Sequence, residues 1–171
     1  MNVEEAVRAR RSIRAYAARP VERETLVEIM DLVRLAPSAR NRQEWRFLVV
    51  DDPALIREIA ARGATSGFVA SAPVVVAAVA TDSGYVMRCG ANASDVDLAI
   101  ALDHLQLLAC SRGIGSCWLG SFDQEGVSGV LGLPSGARVV GLMTLGYPAE
   151  SPEARPRKPL DDVLEFNSRG L

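Results

Sequence analysis

Four arginines and a serine fall within seven residues near the start of the sequence. The run reads Arg8-Ala-Arg-Arg-Ser-Ile-Arg14. The planar guanidinium group of arginine can bind a phosphate through two hydrogen bonds, and a serine hydroxyl adds a further donor. The run is equally typical of a solvated helix end, so the pattern alone leaves both interpretations open.

A second polar segment, Ala36-Pro-Ser-Ala-Arg-Asn-Arg-Gln-Glu-Trp45, leads into an apolar stretch. Within it, Ser38, Asn41 and Gln43 supply hydrogen-bond donors and acceptors. These side chains could bind the polar edge of a heteroaromatic ring, because ligands are often contacted by an irregular segment held between two regular elements. A capping and turn-forming loop is the alternative.

A third segment, Gly113-Ile-Gly-Ser-Cys-Trp-Leu-Gly-Ser121, is rich in glycine. Glycines let a flat ring lie against backbone N–H groups. Alternatively, Gly113 and Gly115 only cap the preceding helix. The segment is not a GxGxxG motif that follows a strand, so it does not indicate a Rossmann dinucleotide site.

The basic residues are unevenly distributed. Eighteen of the 19 cationic residues are arginines, a number that a GC-rich genome could explain by itself. Residues 1–50 hold 10 arginines against 7 acidic residues, whereas residues 51–171 hold 9 cations against 14. We therefore expect any anion site to use the N-terminal segment. A second basic cluster, Arg155-Pro-Arg-Lys-Pro-Leu160, is either part of such a site or a charged tail.

Several functional classes are excluded by composition. The sequence has one histidine, one lysine and three cysteines without CxxC spacing, which argues against multi-histidine zinc sites, disulfide frameworks and iron–sulfur clusters. A net charge of −2 does not favour nucleic acid or an anionic membrane as a partner. The longest apolar stretch falls short of the ~20 residues that span a bilayer. We expect an unprocessed cytoplasmic protein.

Hydrophobic periodicity and turn residues predict alternating helices and strands. Helices are expected at residues 3–10, 25–36, 53–62, 96–111 and 124–131, and strands at 47–50, 73–81, 117–119 and 139–145. The first two strands are apolar on both faces, which is typical of buried strands. Because we find no repeat or linker, we expect a single domain over residues 1–171, an α/β or α+β sandwich.

Two elements suggest a second copy of the chain. The predicted helix at 96–111 is apolar around most of its circumference, so it must be covered on several sides, and a homodimer interface would do this. The proline-rich tail that follows Tyr147 and Pro148 is expected to run extended across a surface, either of this chain or of a partner.

Together these motifs resemble the nitroreductase family of FMN-dependent oxidoreductases, in its short form. The resemblance rests on motifs that occur in the family's order over nearly the whole chain: Arg10-Arg-Ser-Ile-Arg14 with Tyr16, the 36–43 segment with Trp45, the 113–120 segment, Leu131-Gly-Leu-Pro, the 139–148 segment that ends Leu-Gly-Tyr-Pro, and Arg157-Lys-Pro-Leu160. One departure is Glu44, which stands where the family usually has proline. It adds a negative charge beside the expected flavin edge.

The resemblance implies an α+β fold: an α/β/α sandwich with a central mixed, mainly antiparallel sheet flanked by helices. It also implies a homodimer with an extended C-terminal tail and two FMN sites at the subunit interface. The basic motifs would hold the phosphate, and the other motifs would lie at the flavin ring. The residues assigned to FMN in this way are Arg10, Arg11, Ser12, Arg14, Ser38, Asn41, Gln43, Leu119, Gly120, Ser121, Arg157 and Lys158.

The activity implied by the resemblance is hydride transfer from NADH or NADPH through flavin N5 to nitroaromatic, quinone or similar acceptors. Because the cofactor carries this chemistry, no side chain is assigned as a catalytic acid or base. His104 is expected in the core or an interface, with a proton relay to flavin as the alternative. Cys117 is expected to be a small buried residue rather than a reactive thiol.

Two other functions stay open at this point. The same fold could perform a different flavin reaction, either flavin fragmentation or reductive dehalogenation. It could also serve as a non-enzymatic FMN-binding protein.

Overall fold

The computed structural model describes residues 1–64 and 66–167 of the chain. Within these residues, four strands form one antiparallel sheet in the order β1-β2-β4-β3: β1 (Trp45–Val50), β2 (Val74–Ala80), β3 (Gly115–Leu119) and β4 (Arg138–Gly146). The α-helices of the same residues are α1 (Val3–Ala9), α2 (Arg23–Val33), α3 (Pro53–Arg62), α4 (Ala93–Ser111) and α5 (Gln124–Val130).

Strand β2 separates two hydrophobic cores, because successive side chains of a strand point to opposite faces of the sheet. Val74 and Val76 pack with α2 and α4 on one face. Val75 and Ala77 pack with α3 and α5 on the other. Helices therefore cover both faces of the sheet, which confirms the predicted α/β/α sandwich of the α+β class.

Strand β1 differs from its prediction. It begins two residues earlier than expected and lies at the edge of the sheet, where it pairs with β2. Arg46 is exposed, and Val49 is 39% exposed. The prediction of a strand buried on both faces was wrong, because an apolar composition does not distinguish a central strand from an edge strand that packs under a helix.

Local signals explain most helix boundaries. Asn2 and Glu5 form a capping box at the start of α1. The Asp52 side chain accepts a hydrogen bond from the Ala54 N–H, with Pro53 in the first turn of α3. Helix α2 ends at Val33, three residues before the predicted end, and continues as a tighter turn in which the Ala36 N–H donates to the Val33 carbonyl.

Helix α4 is covered over much, but not all, of its circumference. Leu98, Leu102 and Leu105 are fully buried, whereas Val96 is exposed and Ile100 is half-buried. An apolar strip of α4 thus remains at the surface of the chain.

His104 does not lie in the core. It is exposed, with its Nδ1 atom 2.8 Å from the Ile100 carbonyl oxygen.

The segment after β4 pairs with residues near the beginning of the chain. The Ala17 N–H donates to the Tyr147 carbonyl at 2.8 Å, and the Ala149 N–H donates to the Ala15 carbonyl at 2.9 Å. Beyond this pairing, residues 151–159 form no helix, as predicted, and are largely exposed, so most of the tail is not buried against its own chain. No helix in the described part of the chain is long and apolar enough to cross a bilayer.

Candidate functional site

A cavity of about 310 Å³ lies between the N-terminal arginine run and the tail. We call it the arginine cavity; its polar lining residues are Arg8, Arg10, Arg11, Ser12, Arg14, Glu153, Arg155 and Arg157. Within the described part of the chain, the ion pairs involve none of these six arginines. Six guanidinium groups around one concave surface repel one another, so the cavity favours a multiply charged anion.

The end of α1 orients the arginine run. One Nη of Arg11 donates to the carbonyl oxygens of Arg8 and Arg10, at 2.7 and 2.8 Å. These carbonyls lie at the C-terminal end of α1, where a helix has unpaired acceptors and favours a positive charge. Part of the Arg11 donor capacity is therefore used to cap the helix.

The segment after Arg11 is fixed beside β3. Ser12 forms a parallel bridge with Ser116, and the Ile13 N–H donates to the Ser116 carbonyl at 2.9 Å. A Cβ at Gly115 would lie 2.7 Å from an Ile13 side-chain carbon, so this glycine permits the close approach. Gly113, with φ of 73°, has the usual left-handed conformation of a residue that ends a helix.

Glu150 anchors the next residues. Its carboxylate accepts hydrogen bonds from the backbone N–H groups of Arg14 and Ala15. The Tyr16 hydroxyl donates to the Ile13 carbonyl at 2.7 Å and contacts the Thr144 hydroxyl at the same distance. Burial raises the pKa of Tyr16 well above its usual value, so the hydroxyl keeps its proton. One wall of the arginine cavity is thus rigidly supported.

The end of β3 lies on the same edge of the sheet. Leu119 is buried, whereas Gly120 and Ser121 are exposed. A Cβ built on Gly120 would have no atom within 4 Å, so the space in front of this backbone is open. Cys117 is buried, and burial raises the pKa of its thiol. The predicted burial of Cys117 is therefore confirmed.

The second polar segment forms a strained loop, residues 38–43, which we call the polar loop. A 3₁₀ turn spans Ala39–Asn41, and Arg40, Asn41 and Gln43 have φ of 55°, 55° and 53°. Such left-handed conformations cost arginine and glutamine roughly 1–2 kcal/mol each, whereas asparagine adopts them more readily. The Ser38 hydroxyl accepts from the Gln43 N–H at 3.1 Å, and the amide side chains of Asn41 and Gln43 are exposed.

Glu44 carries a compensated charge. Its carboxylate is 3.0 Å from the Arg42 guanidinium, which is also 2.9 Å from Asp82. Because Arg42 is shared between two carboxylates, the negative charge expected at this position is only partly countered.

The polar loop and the arginine cavity lie far apart in one chain. Ser12 bridges to Ser116, which pairs with Leu145 near the end of β4. Trp45, just after the loop, pairs through β2 with Arg138 at the start of β4. Four inter-strand spacings of ~4.8 Å and about seven residues of ~3.4 Å along the strand separate the two groups by roughly 30 Å.

The comparison with known families decides the assignment. The model of the Nitroreductase family matches residues 7–64 and 60–147. The chain belongs to the nitroreductase family.

Similarities to individual proteins support this assignment. A relative from Thermus thermophilus named NADH dehydrogenase is 33% identical over 195 residues, covering 96% of this chain and 95% of the relative. The structure of the NADPH:FMN oxidoreductase from Vibrio harveyi complexed with NAD+ has a TM-score of 0.89 at 26% identity, covering all of this chain and 79% of that one. A relative from Rhodospirillum rubrum, 5,6-dimethylbenzimidazole synthase, is 27% identical over 168 residues, covering 82% and 79%.

The arginine cavity of this nitroreductase-family chain fits a phosphate monoester such as that of FMN. A near-dianionic phosphate needs several strong donors, which the arginines and Ser12 provide. The cavity brings together five of the twelve residues predicted to bind FMN: Arg10, Arg11, Ser12, Arg14 and Arg157. Lys158 is exposed next to Arg157 and is not among the lining residues. Residues 119–121 lie on the same sheet edge, and the polar loop on the opposite one.

Some residues of this site were not among those assigned to FMN. Arg8 and Arg155 line the cavity, and both belong to the two basic motifs described above. Glu150 gave no signal, because its partners are 135 and 136 residues away. Asp97 accepts a hydrogen bond from the Ala39 N–H of the polar loop. It shares its buried helix face with Ala101 and Leu105, a spacing that marks it as a buried carboxylate.

Proposed function

We propose that the chain is an NAD(P)H-dependent FMN oxidoreductase that reduces nitroaromatic, quinone or similar acceptors. When bound, FMN supplies the group that accepts a hydride and passes it on. The arginine cavity is the observation that carries the proposal, because it offers a built site for a phosphate. Membership of the nitroreductase family supports the nicotinamide as electron donor.

The basic residues are proposed to bind the FMN phosphate. Arg10, Arg14 and Arg157 would donate charge-assisted hydrogen bonds, each contributing about 1.5–3 kcal/mol before entropy losses. Arg11, which already caps α1, would add its remaining N–H groups, and Ser12 its hydroxyl. Lys158 does not line the cavity and would approach the phosphate from outside it.

The flavin ring is proposed to lie beside the end of β3. Leu119 would pack against it, while Gly120 and Ser121 would present backbone N–H groups to its polar edge. The open space in front of Gly120 supports this arrangement, since a side chain there would limit access to the backbone.

The complete site is proposed to need a homodimer. Ser38, Asn41 and Gln43 lie roughly 30 Å from the arginine cavity of their own chain, which is too far for one FMN to contact both groups. A partner's polar loop would complete each site. The apolar strip on α4 supports a second copy, because it would be covered in such a dimer.

No side chain is proposed as a catalytic acid or base. Cys117 and Tyr16 both have raised pKa values caused mainly by burial, so both are protonated at neutral pH. The chain's own contribution is to bind and orient the reactants.

A different flavin reaction is the second candidate. The similarity to 5,6-dimethylbenzimidazole synthase supports this candidate, because that relative is named as a synthase and not as a reductase. In this case the chain would use the same cavity for FMN and a different substrate.

Anaerobic titration of the purified protein tests these functions. We expect a yellow protein whose flavin absorbance bleaches with NADH or NADPH and returns on adding a nitroaromatic or a quinone. Bleaching without turnover of these acceptors would favour the second candidate, and bound FMN without bleaching would indicate a non-enzymatic protein. A colourless protein that cannot be reconstituted with FMN would contradict the proposal.

A further inference from the structure

Asp97 is a buried carboxylate in a helix whose buried positions are otherwise mostly apolar. It is 7% exposed and lies near Leu98 and Ala101 on α4. Burying a carboxylate costs free energy unless hydrogen bonds compensate for the lost water. The compensating donor is the backbone N–H of Ala39, which is 3.0 and 3.1 Å from the two carboxylate oxygens.

This hydrogen bond joins α4 to the polar loop. Ala39 begins the 3₁₀ turn of the loop, where a backbone N–H has no partner within the turn. Its neighbour Ser38 accepts from the Gln43 N–H and so links the two ends of the loop. The carboxylate therefore holds one end of a loop that contains three left-handed residues, of which Arg40 and Gln43 are strained.

Strained backbone persists only where its surroundings fix it. If Ala39 were released, the left-handed residues of the loop could relax to ordinary conformations. The exposed amide groups of Asn41 and Gln43 would then lose their orientation.

We infer that Asp97 is a positioning residue for the flavin: it holds the polar loop in the conformation that binds the ring. The inference rests on the proposed function, because the loop is assigned to FMN there. Asp97 itself does not touch the cofactor; it acts through the Ala39 backbone.

The Asp97→Ala and Asp97→Asn variants test the role. In Asp97→Ala we expect the FMN Kd to rise about tenfold or more, because the loop loses its anchor. The change also removes a negative charge, which would strengthen phosphate binding, so weaker binding cannot come from net charge. Asp97→Asn should restore the Kd to within about threefold, since its side-chain oxygen can accept the same N–H.

The control is Asp31→Ala, which removes an exposed carboxylate of α2 that pairs with Arg34 at 2.7 Å. It has the same charge change and should leave the Kd unaltered. The FMN Kd of every variant is measured at a temperature below its melting temperature, so that all proteins are folded. An unchanged Kd in Asp97→Ala, or an Asp97→Asn variant as impaired as Asp97→Ala, would overturn the inference.

Hydrogen exchange of the Ala39 amide, measured without flavin, separates this role from the proposed function. We expect exchange to be about tenfold or more faster in Asp97→Ala and near the wild-type rate in Asp97→Asn. Unchanged exchange in Asp97→Ala would overturn the anchoring even if FMN binds. A wild-type protein that binds no FMN would overturn the proposed function, while the exchange rates would still decide whether Asp97 holds the loop.

Discussion

Arg14 shows how a single residue can be both anchored and available. Its backbone N–H donates to Glu150, while its guanidinium carbon lies 5.9 Å from the centre of the Phe68 ring. An aromatic face attracts a cation without consuming its N–H donors. The side chain can therefore keep its position at the arginine cavity and still bind an anion.

We predict that Arg14→Ala weakens FMN binding more than tenfold, because it removes a charge-assisted contact with the phosphate. Arg57→Ala is the matched control, since Arg57 is exposed on α3 and is not among the lining residues. The Kd is measured by the quenching of flavin fluorescence. Equal values for the two variants would place the phosphate outside the cavity.

At the level of elements, helices α3 and α5 approach each other closely at two glycines, Gly63 and Gly126. A Cβ at Gly126 would lie 1.9 Å from the Arg62 carbonyl oxygen at the end of α3. The obstacle is backbone, which cannot rotate away as a side chain can. Gly129 in the same helix has no atom within 4 Å of its Cβ position.

We predict that Gly126→Ala lowers the free energy of unfolding by about 1–3 kcal/mol, because α3 and α5 must move apart. Gly129→Ala should leave it unchanged or raise it by up to about 1 kcal/mol, since alanine favours a helix more than glycine does. Thermal and urea unfolding would measure both. A Gly126→Ala protein as stable as the wild type would show that α5 can shift without loss.

At the scale of the whole molecule, the arginine cavity and the polar loop occupy opposite edges and opposite ends of one sheet. The cavity side is built from residues 8–14 and the tail, and the loop side from residues 38–43. Because of this separation, we propose that each FMN site combines the arginine cavity of one copy with the polar loop of the other.

Mixing two variants that each impair one side of the FMN site tests this arrangement. Arg14→Ala impairs the cavity side, and Asn41→Gly removes a loop amide without adding strain, because glycine tolerates positive φ. If each site combines two chains, random dimers of the two variants should regain tight binding at about one site in four. No regain on mixing would show that both sides act within one chain.

Much of the fold followed from local signals in the sequence. Pro53 and Asp52 marked the start of α3, and the apolar run of β2 marked a fully buried inner strand. The edge position of β1 could not be predicted, because strand order depends on contacts between distant segments. Basic clusters identified most of the cavity lining, but neither Glu150 nor the Ala39 partner of Asp97, 58 residues away, had a local signature.

The pairing of residues 15–17 with residues 147–149 also has a consequence for biosynthesis. Ala15 and Glu150 are 135 residues apart in sequence, and Ser12 must wait for Ser116. As the chain emerges from the ribosome, its N-terminal arginines have no sheet edge to join until β3 and the segment after β4 have been translated. We expect the arginine cavity to be among the last parts of the molecule to close, so that loading of FMN follows translation of the tail.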